Sequence, residues 1–438
     1  MYRYEAAFGA ADITSRPMRQ AIADWYDLYY RHSADTEADP CQRIAYTVVG
    51  KLVRSVFGEY TMTADTPFGR RLAAELGKIK EKALQLALVA GECYLKPCPD
   101  PAGFSFTLVD RRHALIFARD ASGMPTDMGF AEKSCHNGRY YTLLERRRLA
   151  EDGRLVIENK LYRSRNPETL GEQVALNSHP AYASLPGRYL FDRDVGLGLV
   201  QLKMPMLNCV DGSSDGVSIY AAAAGLIRNA DENEAQLSGE FARGRSRLVV
   251  SADLLRDGQL QDSLFVGLDE DPAQVGIHAF SPQLREQSYF ARKQEYLRSI
   301  ESVIGLKRGM LSDANAEDRT ATEISASSGE FNLTVIGLQQ VWHRAVAEAM
   351  ALCQVLSQAL DMETEDVGFA IDWGNGTLYD EDKRWAAYVQ MVQLGLLKPE
   401  IALGWRFDLP AETEEDLAAI RRRLMPEGSG NGQLTMDN

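Results

Sequence analysis

The chain has 438 residues, of which 45% are hydrophobic and 25% charged, which is typical of a folded globular protein with room for two or three domains. Its formal net charge of −14 argues against a protein that coats nucleic acid, because neutralising phosphates requires a basic surface. The six cysteines are scattered, which predicts no disulfide framework and favours a reducing compartment. Because the chain shows neither a signal-peptide pattern nor a run of about 18 apolar residues, we expect no secretion by that route and no membrane span.

The first elements predicted in chain order are helices. Apolar residues recur at helical spacing over 12–30 and 41–57, and a third helix is predicted over 67–89, ended by Gly91. Asp39 followed by Pro40 predicts the start of the second helix, since this pair suits an N-cap and a first helical position.

The period then changes to two, and glycine, proline and Asp-Gly turns separate the segments. Six short strands are predicted, over 93–96, 104–109, 114–118, 129–133, 139–145 and 155–162. Strands flanked by runs of helices indicate an α+β domain with a mixed or antiparallel sheet. One more strand is expected over 197–204.

A polar segment follows that strand. Asp211, Ser213, Asp215 and Gly216 match the first part of an EF-hand loop, but the twelfth position is Ala222, so the bidentate carboxylate of a calcium site is missing. We interpret the segment as a polar turn that caps a helix running from about residue 217 to 241.

Two further helices bracket a small insert. The insert, 245–280, contains predicted strands over 247–251 and 276–280 joined by a short turn, and a helix resumes over 281–304 with Pro282 in its first turn. This pattern predicts a stalk with a tip.

The next predicted elements are a loop over 305–318 and a long helix over 319–360. Gly305 and Gly309 predict a mobile loop, because glycine opens backbone conformations that other residues avoid. The helix would reach roughly 60 Å. One apolar stripe follows it: Ile324, Phe331, Val335, Leu338, Trp342, Val346, Met350, Cys353, Leu356 and Leu360.

This order of elements resembles the portal proteins of long-tailed bacteriophages, the rings through which DNA enters and leaves the capsid. The local likeness lies in 216–221 (GVSIYA), in 290–306 with its ending Ile-Gly-Leu, and above all in 319–324 (RTATEI). The last segment is similar to the Lys-Thr-Ala-Thr-Glu-Val motif that begins the long helix in one siphophage portal group. Arg319 and Ile324 replace its Lys and Val.

The resemblance implies a portal fold of eight parts. In chain order they are an N-terminal helical arm (1–38), the first part of an α/β wing (39–215), stem helix 1 (216–244), a clip (245–280), stem helix 2 (281–304), a tunnel loop (305–318), the long helix with the second part of the wing (319–378) and a reduced C-terminal crown (379–438).

The resemblance also implies a function without catalysis, cofactor or metal. The chain would form a ring of about twelve subunits at one capsid vertex of the virion, after assembly in the host cytoplasm. Its partners would be the terminase packaging motor, a head-completion adaptor, the major capsid and scaffolding proteins, and double-stranded DNA bound without sequence readout, but no membrane. The tunnel-loop residues would be Lys307, Arg308, Asp313, Asn315 and Arg319, and the clip residues Leu264, Phe265, Val266 and Asp269.

The charge balance fits a DNA conduit on physical grounds. A mostly acidic wall keeps a moving duplex from binding tightly, and a few basic groups centre it through phosphate contacts.

Two other classes of protein remain open, an α+β enzyme and a non-viral helical scaffold or adaptor. No phosphate-binding P-loop, nucleophile elbow or paired metal-binding histidine motif occurs. We expect the acidic clusters 231–234 and 269–271 and the arginine runs 146–148 and 421–423 to be solvated. The six histidines are dispersed: His32, His113, His136, His179, His278 and His343.

Overall fold

The computed structural model describes residues 4–30, 40–100, 103–243, 247–251, 265–268, 278–280, 285–313, 321–362, 364–374, 381–407, 409–411 and 413–425. It is 48% helical and 22% strand, which confirms the α+β class. The chain divides into two compact units: one comprises 1–58 and 62–371, and the other comprises 59–61 and 372–438.

The helices of the described residues are α1 (Glu5–Phe8), α2 (Arg16–Tyr30), α3 (Ile44–Phe57), α4 (Pro67–Ala90), α5 (Ala224–Arg243), α6 (Glu286–Ile304), α7 (Ala321–Ala359), α8 (Glu381–Gln393), α9 (Pro399–Arg406) and α10 (Glu414–Leu424). The strands are β1 (Thr61–Ala64), β2 (Glu92–Asp100), β3 (Gly103–Asp110), β4 (Ala114–Arg119), β5 (Pro125–His136), β6 (Arg139–Leu149), β7 (Leu155–Ser164), β8 (Glu172–Val174), β9 (Arg188–Leu190), β10 (Val200–Lys203), β11 (Arg247–Ser251), β12 (Phe265–Leu268), β13 (His278–Phe280) and β14 (Phe369–Asp372).

The predicted strands of the first half form two antiparallel sheets. One has the order β10-β2-β3, and the other runs β4-β5-β6-β7-β8 with β9 also paired to β7. Asn137 and Gly138 turn β5 into β6 with φ of 50° and 69°, the positive values that a two-residue hairpin turn needs. All six predicted strands of this region are confirmed, and each extends beyond its predicted bounds.

Helix α4 begins and ends close to the predicted residues. The Thr66 side chain accepts a hydrogen bond from the N–H of Gly69, and Pro67 occupies the first helical position. At the other end Gly91 adopts φ +85° and donates its N–H to Ala87 O. The residues that set each end of α4 are close together in the chain, so the bounds of this helix can be predicted from the sequence.

The predicted start of α3 is wrong. Pro40 lies outside the helix, which begins at Ile44, and Asp39 lies outside the described residues. The backbone N–H of Gln42 donates to Asp231 Oδ1 at 2.9 Å, and its side-chain amide donates to Ala230 O at 2.8 Å. These contacts with α5 hold the chain ahead of α3. They also bury Asp231, which we had expected to be solvated.

The predicted start of α5 is also wrong, because 217 and 218 are irregular and 219–223 form turns instead of helix. The Ile219 N–H and the Ser218 hydroxyl both donate to Leu88 O, and the Tyr220 hydroxyl donates to Trp25 O at 2.8 Å. The segment is therefore packed against the end of α4, and the helix begins only at Ala224.

A buried ionic cluster joins the two sheets. Lys96 on β2 and Arg147 on β6 both contact the Glu145 carboxylate, at 2.9 and 2.6 Å. Arg147 also donates to the carbonyls of Leu197 and Gly198 just before β10. Arg147 is thus buried in the fold, which corrects our expectation that the whole run 146–148 is solvated.

The neighbouring Arg146 is partly buried, so it too departs from the expected solvated run. Its guanidinium pairs with Asp127 on the neighbouring strand β5 and donates to the carbonyl of Phe8. The arginine run is therefore spread over different contacts, and it offers no continuous basic surface.

Helix α7 contains 39 residues, close to the predicted length. Most residues of the predicted stripe lie in its C-terminal half and are buried in the core. The helix packs there on α3, α4, β2 and β10. Trp342 is fully buried there and meets the Phe57 ring edge-on at 5.6 Å. Leu333 is 71% exposed, and none of the residues 329–337 is buried, so this part of the helix is less covered.

The second unit contains α8, α9 and α10. Thr413 and Asp416 form a capping box at the start of α10, where acidic residues suit the helix dipole, and basic residues occupy its last turn, where they suit it too. Arg421 pairs with the buried Glu400 of α9.

None of the helices in the described parts of the chain combines the length and the apolar character needed to cross a bilayer.

We expect Gly91→Ala to destabilise the fold by more than about 4 kcal/mol, because a Cβ there would lie 2.1 Å from the carbonyl carbon of Gly216. Gly138→Ala is the matched control: its φ is also positive, but no atom lies within 4 Å of the added methyl. That variant should cost only about 1–2 kcal/mol. Urea unfolding of both proteins measures the difference, and equal costs would contradict the close packing at Gly91.

We expect Glu145 to contribute acid-sensitive stability. Burial alone would raise its pKa, but Arg147 and Lys96 outweigh burial and lower the pKa from 4.5 to about 2. Since the folded-state pKa lies below the unfolded one, this stabilisation is complete above pH 4.5 and is lost as the pH falls towards 2.

Glu145→Gln should therefore be less stable at pH 7, and its free energy of unfolding should depend less on pH in the acid range than that of the wild type. Chemical denaturation at several pH values measures both effects. Glu151→Gln, in an exposed turn, is the control and should leave the profile unchanged.

Candidate functional site

Helices α5 and α6 form an antiparallel arm. Glu240 pairs with Arg285 at 2.9 Å, Glu234 pairs with Lys293 at 3.1 Å, and the Asn233 amide donates to Tyr289 O. Hydrogen bonding from Arg285 lowers the pKa of Glu240 to about 2, so this pair is ionised at neutral pH. These contacts hold the two helices side by side.

A small sheet lies between these helices in sequence, where a tip was predicted. Strand β11 pairs with β13 in antiparallel register, with Arg247 opposite Phe280. The sheet has a third strand, β12, that was not predicted from the sequence; it pairs with β11 in parallel. The arm therefore carries a three-stranded sheet among its described residues.

The segment leading into the arm is fixed to the sheets by buried charges. The Arg111 guanidinium is 3% exposed and pairs with Glu92 at 2.7 Å and with Asp215 at 3.1 Å. Burial by itself would lower the pKa of Arg111, but the two carboxylates outweigh burial and raise it. Arg119 binds the same Asp215 oxygen at 2.8 Å.

This arrangement bears on the resemblance to an EF-hand. Asp215 is buried between two arginines, so 211–216 is a polar turn, as we had interpreted it. The predicted capping role is wrong, however, because the next helix begins eight residues later, at Ala224.

The described half of the predicted loop, 305–313, folds back along α6. Glu301 Oε1 accepts hydrogen bonds from the N–H groups of Gly309, Leu311 and Ser312. Two helical turns earlier, the Gln294 side chain accepts the Asp313 N–H at 2.8 Å. We had expected this loop to be mobile, but five hydrogen bonds to these two side chains, including that from the Ser312 hydroxyl, attach it to the helix.

A tight turn presents the two cations of this loop. The Met310 N–H donates to Lys307 O at 3.1 Å, and Gly309 has φ +91°, as the third position of a type II turn requires. Lys307 and Arg308 occupy the first two positions and are both exposed. The turn therefore places two positive charges next to each other on the surface.

The structure brings only some of the sequence-predicted site residues together. Lys307, Arg308 and Asp313 lie in the described half of the loop and are exposed, whereas Asn315 and Arg319 lie outside the described residues. Phe265 and Val266 belong to β12, where they pair with Leu248 and Val249. Leu264 and Asp269 of the predicted clip surface also lie outside the described residues.

Glu301 and Gln294 shape this loop, and neither was predicted from the sequence to do so. The role of Glu301 could have been inferred from the sequence, because this residue interrupts the apolar stripe of Leu297, Ile300 and Ile304 in the last helical turn. An acidic side chain at a helix C-terminus is unfavourable to the helix dipole, so some other interaction must retain it there.

Comparison with known proteins returned no match, either to a protein-family model or to a curated protein. Within the described residues, no group of three or more His, Cys, Asp and Glu side chains is placed to hold a metal ion. No two of the six cysteines, all of which are described, form a disulfide.

We expect Asp215→Asn to destabilise the protein by about 3–5 kcal/mol, because it leaves two buried or nearly buried guanidinium groups without their shared carboxylate. The exposed Asp27 provides the matched control, and Asp27→Asn should stay within about 0.5 kcal/mol of the wild type. Thermal and urea unfolding measure the effect. A small cost at position 215 would show that the arginines are satisfied without this carboxylate.

Proposed function

We propose that the chain is a portal-type subunit that assembles into a ring around double-stranded DNA at a capsid vertex. What carries the proposal is the exposed Lys307–Arg308 turn, which stands between the end of a two-helix arm and the start of a helix of 39 residues. The likeness of 319–324 to a portal motif supports the same function.

The electrostatics of the turn suit contact with a duplex that must keep moving. Two neighbouring cations attract phosphate without reading base sequence. Copies of the turn around a ring would act on the duplex from all sides, but screening limits each contact to about 8 Å at physiological salt. Since the whole chain carries a net charge of −14, tight binding along the remaining surface is disfavoured.

In this proposal the arm carries the docking surface for other components. The three-stranded sheet of β11, β12 and β13 would meet the packaging motor and a head-completion adaptor. Capsid and scaffolding proteins would contact the sheet-containing part of the first unit. The proposal needs neither a cofactor nor a catalytic group.

Electron microscopy of the purified protein tests the central point. A ring with an open centre, of about twelve copies by native mass spectrometry, is the expected result. A monomer that forms no ring, alone or with scaffolding protein, would refute the proposal. It would leave the enzyme and adaptor hypotheses, which a screen for turnover and a search for helical partners would then distinguish.

We expect the double variant Lys307→Gln/Arg308→Gln to form rings that bind duplex DNA with a weaker salt dependence. The slope of log K against log salt should fall by roughly 0.9 for each phosphate that the variant no longer neutralises. Fluorescence anisotropy at several salt concentrations gives the slope. Arg422→Gln/Arg423→Gln, at exposed positions of α10, makes the same change in charge and should leave the slope unaltered.

A further inference from the structure

The carboxylate of Glu301 is surrounded by donors from the loop that follows its helix. Oε1 accepts from the N–H groups of Gly309 at 3.1 Å, Leu311 at 2.5 Å and Ser312 at 2.9 Å. Oε2 accepts from the Ser312 hydroxyl at 2.8 Å. Glu301 is 1% exposed, and three of these four donors to its carboxylate are loop backbone N–H groups.

These contacts determine the shape of the turn that carries the cations. Gly309 and Leu311 flank Met310, whose own N–H closes the turn onto Lys307 O. Hydrogen bonds to a charged acceptor are stronger than neutral ones, and a buried N–H that loses its acceptor pays a desolvation cost. The turn is thus held through its backbone, so the two exposed cationic residues are attached to a main chain whose conformation is fixed.

We propose that Glu301 is a positioning residue that holds the Lys307–Arg308 turn in the conformation that contacts DNA phosphates. The DNA part of this inference rests on the proposed function, whereas the attachment of the loop does not. A cation on an attached turn loses less conformational entropy on binding than one on a loose loop, so attachment raises affinity without adding charge.

The charge of Glu301 and its positioning role predict opposite effects on DNA binding when the carboxylate is removed. Removing a carboxylate close to two cations makes the region more positive, so electrostatics alone would strengthen the binding of DNA. Loss of positioning would weaken it. Glu301→Ala and Glu301→Gln remove the same charge, but glutamine keeps an oxygen that can accept the three N–H groups.

The first experiment follows trypsin cleavage after Lys307 and Arg308 in the folded protein, with the cut sites identified by mass spectrometry. We expect Glu301→Ala to be cut there about tenfold faster than the wild type, because cleavage follows the population of the open loop. Glu301→Gln should stay close to the wild type. Glu295→Ala, at an exposed position of the same helix, is the control and should change nothing.

The second experiment measures DNA binding by assembled rings at one salt concentration. We expect Glu301→Ala to bind several-fold more weakly than the wild type, and Glu301→Gln to bind at least as well as the wild type. Equal or tighter binding by Glu301→Ala would overturn the positioning role.

The outcomes separate the two proposals. If the wild type forms no ring or its rings bind no DNA, the proposed function fails, while the trypsin result still decides whether Glu301 holds the loop. Unchanged cleavage in Glu301→Ala overturns the inference. Should that variant fail to fold, Ser312→Ala removes only the hydroxyl bond, and cleavage no faster than in the wild type would then overturn it.

Discussion

The buried Arg111 guanidinium, bound by Glu92 and Asp215, is the interaction on which the arrangement of sheet and arm depends. Transferring an isolated charge out of water costs several kcal/mol, and only complete pairing offsets the cost. The three side chains come from strand β2, from the turn before β4 and from the segment that leads towards α5. Their pairing therefore determines where the arm begins, and the close approach of Gly91 to Gly216 leaves little room for another arrangement.

Different forces hold different parts of the first unit. Apolar burial dominates where the C-terminal half of α7 packs against α3 and α4, with Trp342 fully covered. Polar contacts dominate in the arm, where ion pairs join the two helices and Glu301 and Gln294 retain the loop. Directional contacts of this kind set the register and the shape of the loop, which a smooth apolar surface would leave less defined.

The sequence predicted those parts of the fold whose signals are local. Gly91 marks the end of α4, the change to a period of two marks strands β2 to β7, and the apolar stripe marks α7. The predicted helix starts and the predicted exposure of the arginine run were wrong because contacts with residues distant in the sequence decide them. Asp231 and Leu88 displace the starts of α3 and α5, and the Glu145 carboxylate draws Arg147 into the interior. Strand β12 was missed because it pairs with β11 in parallel, and a parallel pair cannot be joined by the short hairpin turn that marks antiparallel neighbours in a sequence. The cations of the candidate site were found from their charge, but the residues that hold their turn were not, because only the folded loop brings those backbone N–H groups to Glu301.

Helix α6 is continuous from Glu286 to Ile304, and this continuity has a mechanical consequence. The side chains of Gln294 and Glu301 are seven residues apart and lie on one face, so axial rotation of the helix would carry both through the same angle. The loop backbone bonded to them would have to follow or break five hydrogen bonds. A twist imposed at the β13 end of α6 would therefore reach the cationic turn through a rod of roughly 28 Å, without any intervening hinge.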